Sequence, residues 1–280
     1  MPERTIGVFD SGVGGLTVLR ALRQQVPDES LVYLGDTARV PYGTKSSPTV
    51  IRYAHEAARF LLAQRVKLMV VACNTASAVA VDELVKRYRV PVIGVIQPGA
   101  KRALEVTRNG RIGVVGTEGT IRSGAYDRVL RESRANIVVH SAACPLFVPI
   151  AEEGWSSHEV ARLAAREYLA PLLDKGIDTL VLGCTHYPLL KKTLQEVVGA
   201  DVQLVDSAQE TAKSVRLRLE QDQLLQSAAA AQPPCYYVTD IPDRFVRVGG
   251  AFLGSLPVHD LVCAGRRQLD ALAHVPDDLV

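Results

Sequence analysis

The chain has 280 residues, 48% of them hydrophobic and 22% charged, a make-up that excludes a disordered chain and suffices for one large or two modest domains. Lys plus Arg number 32 against 30 Asp plus Glu, and no basic run exceeds a pair such as Lys191-Lys192, so neither a nucleic acid nor an anionic membrane is expected as a partner. No segment approaches the roughly 18 consecutive apolar residues of a membrane span, and Met1–Thr5 leads straight into an apolar run without a signal-peptide layout, so the chain is expected to be cytoplasmic.

Short continuous apolar runs alternate with amphipathic stretches. Ile6–Phe9 predicts a strand, Val18–Gln25 a helix, Leu31–Leu34 a strand and Pro48–Gln64 a helix. Lys67–Ala72 predicts a strand, Ala78–Tyr88 a helix and Val92–Val95 a strand, closed by a turn signal at Ile96–Gly99. Further strands are predicted at Ile112–Val115, Ile137–His140, Thr179–Leu182 and Val202–Val205, with helices at Ser156–Lys175 and Leu189–Val198. An amphipathic stretch, Gln209–Leu225, leads through an Ala-rich linker to Pro233-Pro234. Tyr236–Val238 then opens a final piece too small to fold alone. Strand–helix alternation predicts an α/β fold with parallel sheets, and strands buried on both faces explain apolar runs that do not alternate.

The chain also repeats itself. Ile6–Val8 followed by Asp10–Gly12 resembles Ile112–Val114 followed by Gly116-Thr117, an offset of 106 residues; Val71–Thr75 resembles Leu182–Thr185, with Cys73 and Cys184 offset by 111. The repeat predicts two similar parallel-sheet α/β domains, facing each other about a pseudo-twofold axis with an active site between them. The first spans 1–97 and the second 98–206, and the segment 207–280 packs back on the first.

Ligands of such sheets bind beyond the carboxyl ends of the strands. The residues there are Asp10-Ser11, Gly35-Asp36, Cys73-Asn74-Thr75, Gly116-Thr117 and Gly183-Cys184-Thr185-His186. The run Asp10–Gly15 is glycine-rich, but Thr17 stands where a dinucleotide fingerprint needs glycine, no P-loop lysine follows, and Asp10 would repel a phosphate. Its backbone N–H groups are expected to suit a carboxylate ligand better. The five cysteines form no CxxC pair, which argues against a zinc cluster or a dithiol redox centre. Cys144, Cys235 and Cys263 read as packing. Cys73 sits at a strand-to-helix turn, where the helix field is expected to lower an exposed thiol from about 8.5 toward neutrality. Cys184 occupies the equivalent turn and adds His186. A Cys-His pair also fits a nucleophilic hydrolase, but a hydrolase has no use for the matching cysteine.

Seven short motifs in order carry a resemblance over nearly the whole chain. They are Asp10–Gly12, Pro41–Gly43, Ala72–Ala78, Gly116–Thr120, Cys144–Pro149, Glu152–Gly154 and Gly183–Pro188. On these the sequence resembles the bacterial glutamate racemases. The resemblance implies a cofactor-independent racemase that interconverts L- and D-glutamate, a small-molecule substrate, for peptidoglycan synthesis. Cys73 and Cys184 would be the catalytic thiols, Cys73 acting on D-glutamate and Cys184 on L-glutamate. Asp10, Ser11, Tyr42, Gly43, Asn74, Thr75, Thr185 and His186 would contact substrate. Asp10 and His186 would also tune the thiols, as would Glu152 through His186. The family admits a homodimer, in more than one geometry. Two facing thiols also fit an aspartate or hydantoin racemase; the Cys184–His186 and Pro41–Gly43 motifs favour glutamate. Such chemistry needs two groups because a single base tends to return the Cα proton to the face it left.

Overall fold

The computed structural model describes residues 5–226, 232–254 and 261–263, so the Ala-rich stretch 227–231 lies outside the described residues. In chain order the first half runs β1 (Ile6–Asp10), α1 (Leu16–Gln25), β2 (Leu31–Gly35), α2 (Ser47–Ala63), β3 (Leu68–Val71), α3 (Asn74–Arg87) and β4 (Val92–Gly94). The second runs α4 (Ile96–Val106), β5 (Arg111–Gly116), α5 (Glu118–Arg122), α6 (Ala125–Ser133), β6 (Val138–Ala143), α7 (Phe147–Glu152), α8 (Glu159–Leu173), β7 (Thr179–Gly183), α9 (Lys191–Val198) and β8 (Gln203–Asp206). After these come α10 (Ser207–Gln221), β9 (Cys235–Val238), α11 (Pro242–Leu253) and β10 (Leu261–Cys263), with short 3₁₀ turns at Tyr42–Thr44 and Tyr187–Leu190. Every strand predicted from the apolar runs is present.

The strands form two sheets, ordered β10-β9-β2-β1-β3-β4 and β6-β5-β7-β8, and all their pairs are parallel. Within each sheet the order of the first four strands of its unit is the same, second-first-third-fourth. The repeat in sequence is therefore a repeat in topology: β1 corresponds to β5 and β3 to β7, so Cys73 and Cys184 follow equivalent central strands. Strands β9 and β10, from beyond residue 206, extend the first sheet at β2.

Both faces of each sheet are covered, as the unbroken apolar runs require. On the first sheet, Ile6, Val8, Tyr33, Leu68 and Val70 pack with α1, α10 and α11, while Phe9, Leu34, Met69 and Val71 pack with α2 and α3. The second sheet packs Val115, Leu180 and Leu182 against α7, α8 and α9, and Ile112, Val114 and Val181 against α4 and α6. Ala78 of α3 joins that last cluster, so the two units share packed surface.

One expectation is corrected. Ile96–Gly99, read as a turn, is the first turn of α4. Pro98 is compatible with this because an N–H in the first helical turn has no acceptor within the helix. Gly99 lets that helix approach α10, since a Cβ there would lie 3.1 Å from Ser207 Cβ.

Two contacts hold the architecture at opposite ends. At the amino ends of the first sheet, Lys67 Nζ lies 2.6 Å from Glu29 Oε2 and donates to the Leu224 carbonyl at 2.6 Å, joining β2, β3 and the chain after α10. Both charged groups are buried, so losing one partner strands the other. At the carboxyl ends, the Gly12–Gly15 turn runs beneath the loop after β7. A Cβ on Gly14 would stand 2.2 Å from Thr185 Oγ1 and 2.5 Å from His186 Nδ1. Lys67→Met is expected to lower unfolding free energy by about 3–5 kcal/mol, read from chemical denaturation. Gly14→Ala, which must force that loop away, is expected to cost about 1–3 kcal/mol in the same measurement.

Candidate active site

Asp10 ends β1 and is fully buried. Its Oδ2 accepts the Gly12 N–H at 2.9 Å, and the N–H groups of Gly15 and Ser11 also bear on the carboxylate. The glycine-rich turn thus cradles its own aspartate, which corrects the expectation that its N–H groups await a ligand carboxylate. A Cβ on Gly15 would lie 2.5 Å from Asp10 Cβ, so the turn needs glycine there to close over the side chain. Burial raises the Asp10 pKa, opposed by the charge of His186 and by these N–H groups.

Cys73 follows β3 and precedes the first residue of α3. Its Sγ lies 3.6 Å from Ser11 Oγ, and the side chain is buried. The sequence suggested an exposed thiol lowered by the helix terminus. Burial and the neighbouring Asp10 instead push Cys73 up to about 12, outweighing the Ala76 N–H and Ser11. The turn has the anticipated geometry, but desolvation dominates the field of the helix.

The loop after β7 is built differently. Cys184 Sγ is 3.9 Å from His186 Nδ1, and His186 Nε2 is 3.0 Å from Glu152 Oε1 at the end of α7. Burial would strip the proton from His186, but Cys184 and Glu152 outweigh it and push the imidazole up to about 10. Burial likewise opposes the Glu152 carboxylate, yet His186 and then Arg244 bring its pKa below the ordinary value. Arg244 of α11 donates to the second oxygen, Glu152 Oε2, at 2.8 Å. Thr185 Oγ1 lies 3.5 Å from His186 Nδ1, and its carbonyl accepts from Thr17 Oγ1 at 3.3 Å. The Phe252 ring stands edge-on to His186 with centroids 5.1 Å apart.

Around the two sulfurs, polar atoms are committed with two exceptions. Asn74 Oδ1 accepts from Tyr126 Oη at 2.8 Å, while Asn74 Nδ2 is buried and finds no hydrogen-bond partner among the described residues. Asp10 Oδ1 is likewise buried and unpaired. Each such atom costs on the order of 1–3 kcal/mol, a penalty that a ligand can relieve. One is a donor suited to a carboxylate and the other an acceptor suited to an ammonium.

Thr75 Oγ1 lies 2.8 Å from Thr117 Oγ1 and 3.2 Å from Thr120 Oγ1, a triad of hydroxyls between α3 and the loop after β5. Gly43 fits beneath it; a Cβ there would lie 2.6 Å from Thr117 Cβ. Tyr42 shares an apolar cluster with Cys73, but its hydroxyl donates to Asp36, so the ring is held by the first sheet. The structure therefore brings Asp10, Ser11, Cys73, Asn74, Thr75 and Gly43 to one rim and Cys184, Thr185, His186 and Glu152 to the other. Thr117 follows a strand and was visible by that rule. Tyr126 and Arg244 sit on amphipathic helices, with no local signal to mark them. Among the other cysteines, Cys144 is buried with Sγ 3.7 Å from the Ala142 carbonyl, Cys235 is half-buried in β9, and the side chain of Cys263 lies outside the described residues. No helix among the described residues is long and apolar enough to cross a membrane.

Comparison with known proteins agrees with this architecture. The family model described as Asp/Glu/Hydantoin racemase matches residues 6–215. A curated glutamate racemase from Geobacter metallireducens is 56% identical over 254 residues, covering 91% of this chain and 94% of that protein. The crystal structure of the glutamate racemase isoform RacE1 from Bacillus anthracis superposes with a TM-score of 0.89 at 38% identity, covering 95% of this chain and 99% of that one. The Francisella tularensis glutamate racemase, solved with D-glutamate, gives 0.89 at 40% identity, covering 97% of this chain and all of its own. On the match across both sheets and on these relatives, the chain belongs to the Asp/Glu/hydantoin racemase family.

Proposed function

We propose that this chain interconverts L- and D-glutamate by passing the Cα proton between Cys73 and Cys184 without a cofactor, and supplies D-glutamate for peptidoglycan. The observation that carries this reading is a thiol after each of two equivalent central strands, Cys73 beside Ser11 and the charge of Asp10 and Cys184 beside His186. The choice of glutamate rests on the relatives named above.

A zwitterion matches the buried unpaired atoms. Asp10 Oδ1 accepts from the ammonium and Asn74 Nδ2 donates to a carboxylate. The ammonium also offsets the burial that disfavours Asp10 as an anion. The hydroxyls of Thr75 and Thr117 and the N–H groups opening α3 stand ready for the negative charge that develops when Cα loses its proton.

The two thiols have unequal surroundings. Cys73, beside Asp10 and without a cation, is held as the neutral thiol and serves as the acid. Cys184, beside an imidazolium braced by Glu152, serves as the base. In this state the protein is set for L-glutamate: Cys184 takes the Cα proton from one face and Cys73 gives its proton to the other. The thiols end with protonation reversed, which suits D-glutamate. The thiols and the polar groups nearest them are buried, so substrate entry requires the two sheets to part, and their closure excludes water from the carbanion.

Purified protein given L-glutamate and no added cofactor is expected to yield D-glutamate in a coupled assay. Cys73→Ala and Cys184→Ala should each lower turnover by at least about 1,000-fold; near-normal turnover in either variant overturns the two-thiol reading. In deuterated solvent, Cys184→Ser should retain Cα exchange with one enantiomer only. As for pH, the rate should fall as pH rises through about 10, where His186 loses its proton. Glu152→Gln removes the anion that holds this proton, so the fall should move to lower pH in a matched pH–rate profile.

A further inference from the structure

The last described helix reaches into the acid–base relay of the other sheet. Strand β9, just before α11, is hydrogen-bonded to β2 in the first sheet. Yet Arg244, on the first turns of α11, donates to Glu152 at the end of α7, 92 residues earlier in the chain. The two oxygens of Glu152 are divided, Oε1 facing His186 Nε2 at 3.0 Å and Oε2 accepting from Arg244 at 2.8 Å. Farther along the same helix, Phe252 presses edge-on against His186 at 5.1 Å. The imidazole is thus bounded by groups from four places: Cys184 and Thr185 in its own loop, Asp10 from β1, Glu152 from α7 and Phe252 from α11.

We infer that Arg244 is a positioning residue for racemisation, fixing the Glu152 carboxylate so that its other oxygen stays aligned on His186 beside Cys184. A glutamate carboxylate has three side-chain torsions that a backbone acceptor lacks, and one hydrogen bond does not fix its plane. A second hydrogen bond, from the Arg244 guanidinium to the other oxygen, restrains it further. It also opposes protonation of Glu152, which would otherwise break the relay in acid. Arg244 touches neither sulfur, so its effect passes through Glu152. Being half-exposed, it acts in reach of solvent, and its effect should be modest and sensitive to salt.

This inference rests on the two-thiol reading above, and the test separates the two. Arg244→Ala is expected to lower kcat/KM about 5–10-fold, mainly in kcat, and to move the acid limb of the pH–rate profile upward by about half a pH unit. Arg244→Lys, which keeps the charge but not the planar guanidinium, should recover part of the loss. In a Glu152→Gln background Arg244→Ala should cost little more, because the group it positions is gone. An equal loss in both backgrounds, or none in either, overturns the inference. A carbon-13 carboxylate titration of Glu152 by NMR gives a second readout that needs no turnover: its midpoint should rise in Arg244→Ala, and an unmoved midpoint refutes the contact. If wild-type protein fails to racemise glutamate while that midpoint does rise, the functional reading has failed and the Arg244–Glu152 contact stands.

Discussion

The architecture depends on two strand ends being brought face to face, closely enough that the backbone at Gly14 leaves no room for a methyl group beneath Thr185 and His186. That approach buries Asp10 and His186 in one another's field, although 176 residues separate them in sequence. It also buries both thiols. In so buried a place the immediate neighbours weigh most on a titratable group, because a charge there has few other sources of stabilisation.

Equivalent backbone positions thereby acquire opposite electrostatic character. The turn after β3 offers Cys73 a hydroxyl and a nearby carboxylate, so negative charge on its sulfur meets negative charge. The turn after β7 offers Cys184 a histidine, and Glu152 keeps that histidine charged. The duplicated fold explains why there are two thiols. The unmatched partners, Asp10 on one side and His186 with Glu152 on the other, explain why the thiols need not rest in the same state. A symmetrical pair would hold both sulfurs neutral or force two negative charges into one buried site.

The strands were legible because strands covered on both faces must be apolar throughout, and the repeat of Cys73 at Cys184 was legible because the same turn follows both. Where reading from sequence went astray, long-range packing had decided the matter. Ile96–Gly99 carries the residues of a turn but is a helix start, because α10 accepts the close approach at Gly99. The Asp10–Gly15 run looks like a site awaiting an anion, but its own aspartate occupies it. The helix terminus beside Cys73 suggested an acidic thiol, and depth of burial reversed the sign. Nothing around Arg244 distinguishes it from the other arginines of exposed helix faces; its role follows only from where α11 docks.

That docking means the electrostatics of the site are completed last along the chain. Asp10 comes from the first strand, the thiols from the third and seventh, and the brace on Glu152 from beyond residue 240. The Cys184–His186 contact is local, but the approach of Asp10 to His186 needs both sheets, and the brace on Glu152 needs the returning helix as well. Parting the sheets to admit substrate would separate Gly14 from Thr185 and let water reach Asp10 and His186 together, relaxing both pKa values toward those of exposed side chains. The unequal surroundings of the two thiols therefore depend on the sheets being together. In the two-thiol reading proposed above, closure would do two jobs in one motion: shield the carbanion from solvent, and bring Asp10 and His186 against the thiols as the Cα hydrogen comes within reach.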